Sequence, residues 1–259
     1  MTSPPKINRR RFLGLAALGL LGAAGGTEAF LLEPHRLQVT RMEFSVPART
    51  RFVAWSDFHY SGDVEYAQAV VSTINELRPE FICFLGDLVH DRRYQEEALR
   101  FIAQLRAPVF GIPGNHDYAS HSSFALNRKT FAATGGAYLI NQTVRPSEKI
   151  ELCGSAERYV GFIPKEGSGE HARVLLTHYP MTAQETFGRR FSAILAGHSH
   201  GGQVRIPFYG SLFVPRHVGR YDMGLFDTPG GPLYVNVGVG TFRFPGRFNC
   251  PPEITVVKI

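Results

Sequence analysis

An α/β fold follows from three features of the chain. Apolar runs of strand length alternate with helix-length amphipathic patterns through the first half. The second half is richer in short strand candidates, and no repeat or low-complexity linker divides the two halves. Strand after strand ends in Asp, Asn or His, at the position where ligand sites collect in open α/β sheets. At 259 residues the chain is long enough to bury a sizeable core, and without an internal linker it reads as one large domain.

Taken in order, residues 1–30 have the pattern of a targeting segment. A polar, basic start ends in Asn8-Arg9-Arg10-Arg11-Phe12-Leu13, and a glycine-interrupted apolar run follows from Phe12 to Ala24. That run is too short for a comfortable membrane span, which needs about 20 residues. A basic region followed by a modest apolar one is a signal-peptide pattern, and Arg9-Arg10 resembles a twin-arginine export signal. A basic-flanked membrane anchor is the other reading, and cleavage, if it occurs, is placed near Ala29.

Residues 35–50 form an entry strand or arm closed by Pro47. A strand over Arg51–Ser56 leads into Asp57-Phe58-His59. A helix runs from Val64 to Leu77 and stops before Pro79, because the residue before a proline avoids the helical region. A second strand, Phe81–Leu85, ends in Gly86-Asp87, and a helix follows from Tyr94 to Leu105. A third strand at Pro108–Ile112 ends in Pro113-Gly114-Asn115-His116-Asp117, with a helix over Ser123–Ala133. Short strand runs follow at Ala137–Ile140, Thr143–Val144 and Ile150–Leu152, then a polar loop over residues 165–171. Arg173–Thr177 is a strand ending in His178. Ser192–Ala196 is a strand ending in Gly197-His198-Ser199-His200-Gly201-Gly202-Gln203. Leu233–Gly238 and Glu253–Ile259 close the chain as strands.

The formal net charge is +6, and Lys6, Arg9, Arg10 and Arg11 supply part of the excess, so it need not describe the folded body. A basic surface favours anionic partners such as phosphates or anionic lipid head groups. There is no helical Lys/Arg stripe and no nucleic-acid motif, so no nucleic-acid partner is expected. Three cysteines, Cys83, Cys153 and Cys250, without Cys-x-x-Cys spacing argue against a disulfide framework or a zinc knuckle. Cys83 reads as a buried small hydrophobe, and a Cys153–Cys250 bridge is conceivable.

Each strand-end residue has an ordinary reading by itself. Asp57 and Asp87 could cap helices, Asn115 could be a turn residue, His116 and Asp117 an exposed pair, and His59 and His178 half-buried histidines. Five strands ending alike are harder to obtain from loop composition. Asp57, His59, Asp87, Asn115, His178, His198 and His200 form a set of imidazole, carboxylate and amide donors without thiolate, which suits Mn, with Fe or Zn as alternatives. Seven donors exceed the need of one four-coordinate ion and fit two divalent ions sharing a carboxylate, for which Asp87 is placed best. Two such ions clamp the attacking and leaving oxygens of a phosphoryl displacement and acidify a bridging water into a hydroxide nucleophile.

Asp57-x-His59, Gly86-Asp87, Gly114-Asn115-His116-Asp117, His178 and Gly197-His198-x-His200 stand in the order of the calcineurin-like metallophosphoesterase motifs, and from about Arg51 onward the chain resembles that family. The resemblance implies a four-layer αββα sandwich of two mixed sheets over residues 31–259 with a dinuclear site at the strand ends. It assigns Asp57, His59, Asp87 and His200 to one ion, and Asp87, Asn115, His178 and His198 to the other. It makes His116 a non-ligand that contacts phosphate and protonates the leaving oxygen. One departure concerns the family's Gly-Asp-x-x-Asp, whose last Asp supports that histidine: here the stretch is Gly86-Asp87-Leu88-Val89-His90, with the carboxylate one place late at Asp91. Support of His116 by Asp117, by Asp91 or by no carboxylate stays open, and His90 by itself reads as a surface loop residue.

The twin-arginine start, Gly201-Gly202-Gln203 and Pro251-Pro252-Glu253-Ile254 resemble an exported bacterial phosphodiesterase subgroup. What this implies is a phosphodiester substrate, passage through the twin-arginine machinery, and residence in the periplasm or on the outer face of the cytoplasmic membrane. The alternatives are a pyrophosphatase of the UDP-2,3-diacylglucosamine type, a phosphomonoesterase and a non-enzymatic binding protein. An export signal weighs against the first, whose substrate is made on the cytoplasmic side, and a complete ligand set weighs against the last. Phe208–Val214, apolar and aromatic, could meet a lipid or a membrane surface, or pack in the core.

Overall fold

A computed structural model of the chain describes residues 25–46, 50–156 and 171–259. The basic and apolar stretch at 1–24, Pro47 and most of the polar loop at 165–171 lie outside the described residues. Two six-stranded sheets stack face to face.

The first sheet begins with β1 (Gln38–Glu43), the expected entry strand, which lies parallel to the last strand of the chain, β14 (Glu253–Lys258). β14 runs antiparallel to β2 (Arg51–Trp55). From there β3 (Ile82–Phe84), β4 (Val109–Gly111) and β5 (Ala137–Tyr138) continue in parallel. The connecting helices are α1 (Val64–Glu76), α2 (Gln95–Ile102), the single turn α3 (Asn115–Ala119) and α4 (Phe124–Ala133). Asp63 and Ser123 cap α1 and α4 by accepting the backbone N–H of Tyr66 and Leu126, which satisfies one donor that a helix start leaves orphaned. The two-residue period of β2 sends Val53 and Trp55 to the helices and Phe52 and Ala54 to the other sheet.

The second sheet has the order β12 (Gly224–Thr228), β13 (Gly231–Val235), β9 (Ala193–Ala196), β8 (Ala172–Thr177), β7 (Ile150–Ser155) and β6 (Gln142–Ser147). Its interior pairs are parallel and its edge pairs antiparallel. Phe52, Phe81, Phe110 and Leu139 of the first half meet Leu152, Val174, Leu176 and Leu195 of the second in the core between the sheets. Helices α1, α2 and α4 cover the outer face of the first sheet. Among the described residues, the outer face of the second carries a short 3-10 turn, Pro180–Gln184, with Phe191 and Tyr221, so the fourth layer is thin.

β12 was not expected. Its residues alternate between half-buried and exposed and include Asp227, so they lack the apolar run that marks a buried strand. A small hairpin, β10 (Arg205–Ile206) with β11 (Gly210–Ser211), rises from the connection between β9 and β12 of the second sheet. All three cysteines are buried free thiols, so Cys153 and Cys250 are not bridged. Among the described residues no helix is long and apolar enough to cross a membrane.

Candidate metal centre

The parallel strands β2, β3 and β4 of one sheet and β8 and β9 of the other point their carboxyl ends to one place, and the seven strand-end residues meet there. Asp57 and His59 follow β2, Asp87 follows β3, Asn115 opens α3 after β4, His178 follows β8, and His198 and His200 follow β9. Asp57, His59, Asp87, His178, His198 and His200 are all buried. The backbone bends sharply to bring them in: Asp57, His59, Asp87, His198 and His200 all have φ between 44° and 66°. Left-handed backbone costs a non-glycine residue on the order of 1 kcal/mol or more, and five such residues in one cluster mark a functional site rather than a packing accident. Close approach also depends on two glycines. A Cβ at Gly114 would lie 2.1 Å from Asp87 Oδ1, and one at Gly197 would lie 2.6 Å from Asp57 Oδ2.

The donor atoms fall into two groups. Asp57, His59 and His200 each offer one atom within 4.8 Å of the others, and so do Asp87, His178 and His198. Asp87 joins the groups: its Oδ2 lies 3.4 Å from His59 Nε2 and 3.3 Å from His178 Nε2. Asn115 Oδ1 is 3.1 Å from His178 Nε2, and His198 Nδ1 is 3.2 Å from that same nitrogen. His200 Nε2 is 3.5 Å from Asp57 Oδ1. The outward-facing nitrogens are fixed by the backbone. His178 Nδ1–H donates to the Leu85 carbonyl at 2.8 Å, and His198 Nε2–H donates to the Arg216 carbonyl at 2.8 Å. These bonds turn the other nitrogen of each ring toward the centre, where it offers a lone pair once it is unprotonated, as a metal-binding imidazole requires.

Metal fit rests on what these atoms lack. Both ring nitrogens of His59 and Nδ1 of His200 are buried without a hydrogen-bond partner, which is costly unless something else takes the lone pair. Burial holds His59 and His198 neutral, with pKa values lowered to about 3, and lowers His200 well below the usual imidazole range. Burial raises Asp57 to about 6, so its ionisation calls for added positive charge nearby. Burial alone would discharge His178 and protonate Asp87. Their mutual attraction outweighs it, lifting the His178 pKa to about 9 and holding Asp87 below the usual carboxylate range. Four-donor sets of this composition fit two divalent ions sharing Asp87.

His116 sits half-buried on the wall of the cleft above this cluster, and its backbone N–H donates to Asp87 Oδ1 at 2.7 Å. Among the described residues no carboxylate is hydrogen-bonded to its ring. Asp117 is wholly buried, against the reading of an exposed pair, and accepts the backbone N–H groups of Asp87, Leu88 and Gly114. Asp91 turns outward to Arg93 at 2.7 Å. The ring partner is His90, with Nδ1 3.2 Å from His116 Nδ1. His90 occupies the place of the last Asp in the family motif, so the departure in sequence becomes a histidine pair in structure.

Three further features had no role assigned to them from the sequence. Phe242 lies in a loop without recognisable pattern, yet its ring centroid is 4.3 Å from that of His116 and 5.5 Å from that of His59. Gln203 holds that loop: its Nε2 donates to the carbonyls of Phe244 and Gly246, and its Oε1 accepts the N–H of Phe242. Arg247, wholly buried, donates from its guanidinium to the carbonyls of Val237, Gly238, Gly240 and Cys250. Only the position of Gln203, close behind the His198/His200 turn, could have drawn attention.

Residues 50–202 match the family model for calcineurin-like phosphoesterases. The chain is 33% identical to the metallophosphoesterase YkuE of Bacillus subtilis (strain 168) over 98% of each chain. It is 30% identical to the phosphodiesterase YaeI of Escherichia coli (strain K12), over 98% of this chain and 99% of that one. The UDP-2,3-diacylglucosamine pyrophosphatase LpxG of Chlamydia trachomatis is 26% identical over 88% of this chain and 90% of its own. With a buried two-group donor cluster at the strand ends of a two-sheet α/β sandwich, this chain belongs to the calcineurin-like phosphoesterase family, whose members are metal-dependent phosphoric ester hydrolases.

Proposed function

We propose that the protein hydrolyses phosphodiesters, with Asp57, His59, Asp87 and His200 holding one divalent ion and Asp87, Asn115, His178 and His198 the other. The observation that carries this is Asp87 Oδ2, placed almost equally from His59 and His178 where one carboxylate can serve both groups. When bound, the ions supply an acidified water as nucleophile and neutralise the phosphoryl oxygens. The chain supplies the rest. Its neutral histidines keep the filled centre positive, which favours an anionic phosphate. Arg243 and Arg216 line the same cleft and add to that field. His116 faces the cleft and gives a proton to the leaving alkoxide, so diester and water become monoester and alcohol. A donor set of imidazole, carboxylate and amide without thiolate is compatible with Mn, our first candidate, and with Fe or Zn as alternatives.

The resemblance to the named phosphodiesterase over nearly the whole of both chains supports a diester over a monoester. The resemblance to LpxG keeps a lipid-linked pyrophosphate as the second reading. Arg9-Arg10 at the start of the chain supports export by the twin-arginine route to the periplasm or the outer face of the cytoplasmic membrane, where the apolar segment Phe208–Val214 suits contact with a membrane surface.

The test is metal analysis joined to turnover. Two equivalents of divalent ion are expected in the wild type. Asp87→Ala is expected to lose stoichiometry and to lower kcat/KM by more than about 100-fold, since even outer-sphere changes at metal sites cost about 10–100-fold. Rates on mono- and diesters of one leaving group, and on UDP-2,3-diacylglucosamine, separate the three substrates. Undiminished hydrolysis by Asp87→Ala would overturn the two-ion reading.

A further inference from the structure

We propose that an apolar cavity beside the metal centre binds the hydrocarbon chain of an amphiphilic phosphodiester whose phosphate lies at the two-ion site; this rests on the phosphodiesterase reading above. The cavity has a volume of about 410 Å³ and is walled by Val204, Leu212, Phe213, Pro215, Phe242 and Phe244. The cleft over the metal cluster, about 480 Å³, shares His200, Phe213, Pro215, Phe242 and Arg243 with it. The two spaces therefore adjoin across one wall, and the chemistry changes from one side to the other. On the cleft side stand Asp87, Asn115, His116 and His198. On the cavity side the wall is carbon, and Arg243 belongs to both.

Of the polar side chains that line the cavity, His200 belongs to the metal-ligand set and Arg243 is shared with the cleft, while Gln203 and Ser199 are engaged by the backbone. The Gln203 amide is spent on Phe242, Phe244 and Gly246, and Ser199 Oγ accepts the N–H of Gly201. A sugar or base placed here would leave its own donors and acceptors unpaired, which such a wall penalises. An alkyl chain loses nothing. The apolar wall also continues to the surface: Leu212 is 57% and Phe213 69% exposed, and Phe208 and Tyr209 at the turn of the β10–β11 hairpin are more exposed still. Contiguous exposed apolar side chains of this kind mark ligand or lipid contacts. A phosphate group with a single long alkyl arm matches the order of cleft, arginine, cavity and open apolar lip. Volumes of about 300–1,000 Å³ are usual for small-ligand sites.

The experiment uses metal-loaded protein and a series of alkyl para-nitrophenyl phosphates, ethyl to decyl, below their micelle concentrations. The expected result is a rise in kcat/KM of about fourfold per added methylene until the cavity is filled, the value of one buried methylene. Binding of alkyl methylphosphonates of the same lengths, followed by calorimetry, should give the same slope in Kd without turnover. Leu212→Asp, at an exposed position that folding tolerates, should flatten both slopes, and Leu212→Met should keep them. Flat slopes with intact turnover of the ethyl ester overturn the subsite and leave the phosphodiesterase reading standing. Absence of turnover with every ester overturns that reading, while the slope in Kd still decides the cavity. Slopes that survive Leu212→Asp place the chain elsewhere and overturn the proposal.

Discussion

Asp87 uses its two oxygens for different tasks. Oδ2 lies between the donor groups, while Oδ1 takes the backbone N–H of His116, so the residue that joins the ions also sets the position of the proposed acid. The side chain of that acid is steadied by His90. We expect His90→Ala to lower kcat about 10-fold or more with little change in KM, the usual scale for a group that orients another. His90→Asp restores the carboxylate of the family motif and should move the alkaline limb of the pH–rate profile to higher pH, because a neighbouring carboxylate favours the charged imidazole and His116 then keeps its proton longer. A second prediction concerns protons. His59 and His198, with pKa values near 3, are neutral at any working pH, whereas His178 near 9 carries its proton until the ion displaces it. Metal affinity, read by chelator competition, should therefore rise as pH increases toward 9 and level off above it. In metal-free protein the raised His178 pKa stabilises the fold fully below its unfolded value of about 6.5. That contribution is lost as pH rises through about 9, so melts of the stripped protein should shift downward across this window.

The loop from Val237 to Cys250 is the element that finishes the site, since it carries Phe242 onto the rings of His59 and His116. It has no regular hydrogen-bond ladder and is held instead by Gln203 and the buried guanidinium of Arg247. Arg247→Met should destabilise the protein by on the order of 3 kcal/mol in chemical denaturation, because several buried carbonyls lose their donor together. Arg247→Lys keeps the charge but not the planar fork, and should recover only part of that loss. The strands that bear donors were legible because each is an apolar run with a polar stop, as in Phe81–Leu85 before Gly86-Asp87. The loop was not, because Phe242 and Arg247 look like any aromatic and any arginine until distant carbonyls and rings are placed around them. His90 is exposed, as read, but its pairing with His116 was not legible for a related reason: the partner follows a different strand, and the adjacency of β3 and β4 in the sheet is what brings the two rings together.

Across the whole molecule the donors divide between the sheets. Asp57, His59, Asp87 and Asn115 come from the first, and His178, His198 and His200 from the second. The donor group of Asp57, His59 and His200 spans both, as does that of Asp87, His178 and His198. A filled centre therefore ties the sandwich across its seam. An ion present at about 100 times its Kd stabilises a fold by about 2.7 kcal/mol. In a domain of this size that corresponds to roughly 5–10 °C in Tm, and calorimetry with and without chelator should show a difference of that order. The sandwich itself was foreseeable from the strand–helix alternation and the family motifs, whereas the thin covering over the second sheet was not, because a 3-10 turn such as Pro180–Gln184 leaves no periodic trace. The division of the donors also bears on the order of events during folding. The His198 N–H that reaches Asp57 lies 141 residues away along the chain, and contacts of such long sequence separation close late. No partial fold containing one sheet can assemble either donor group, so the ions are acquired after the topology is complete, and a chain that retains them has passed its own inspection.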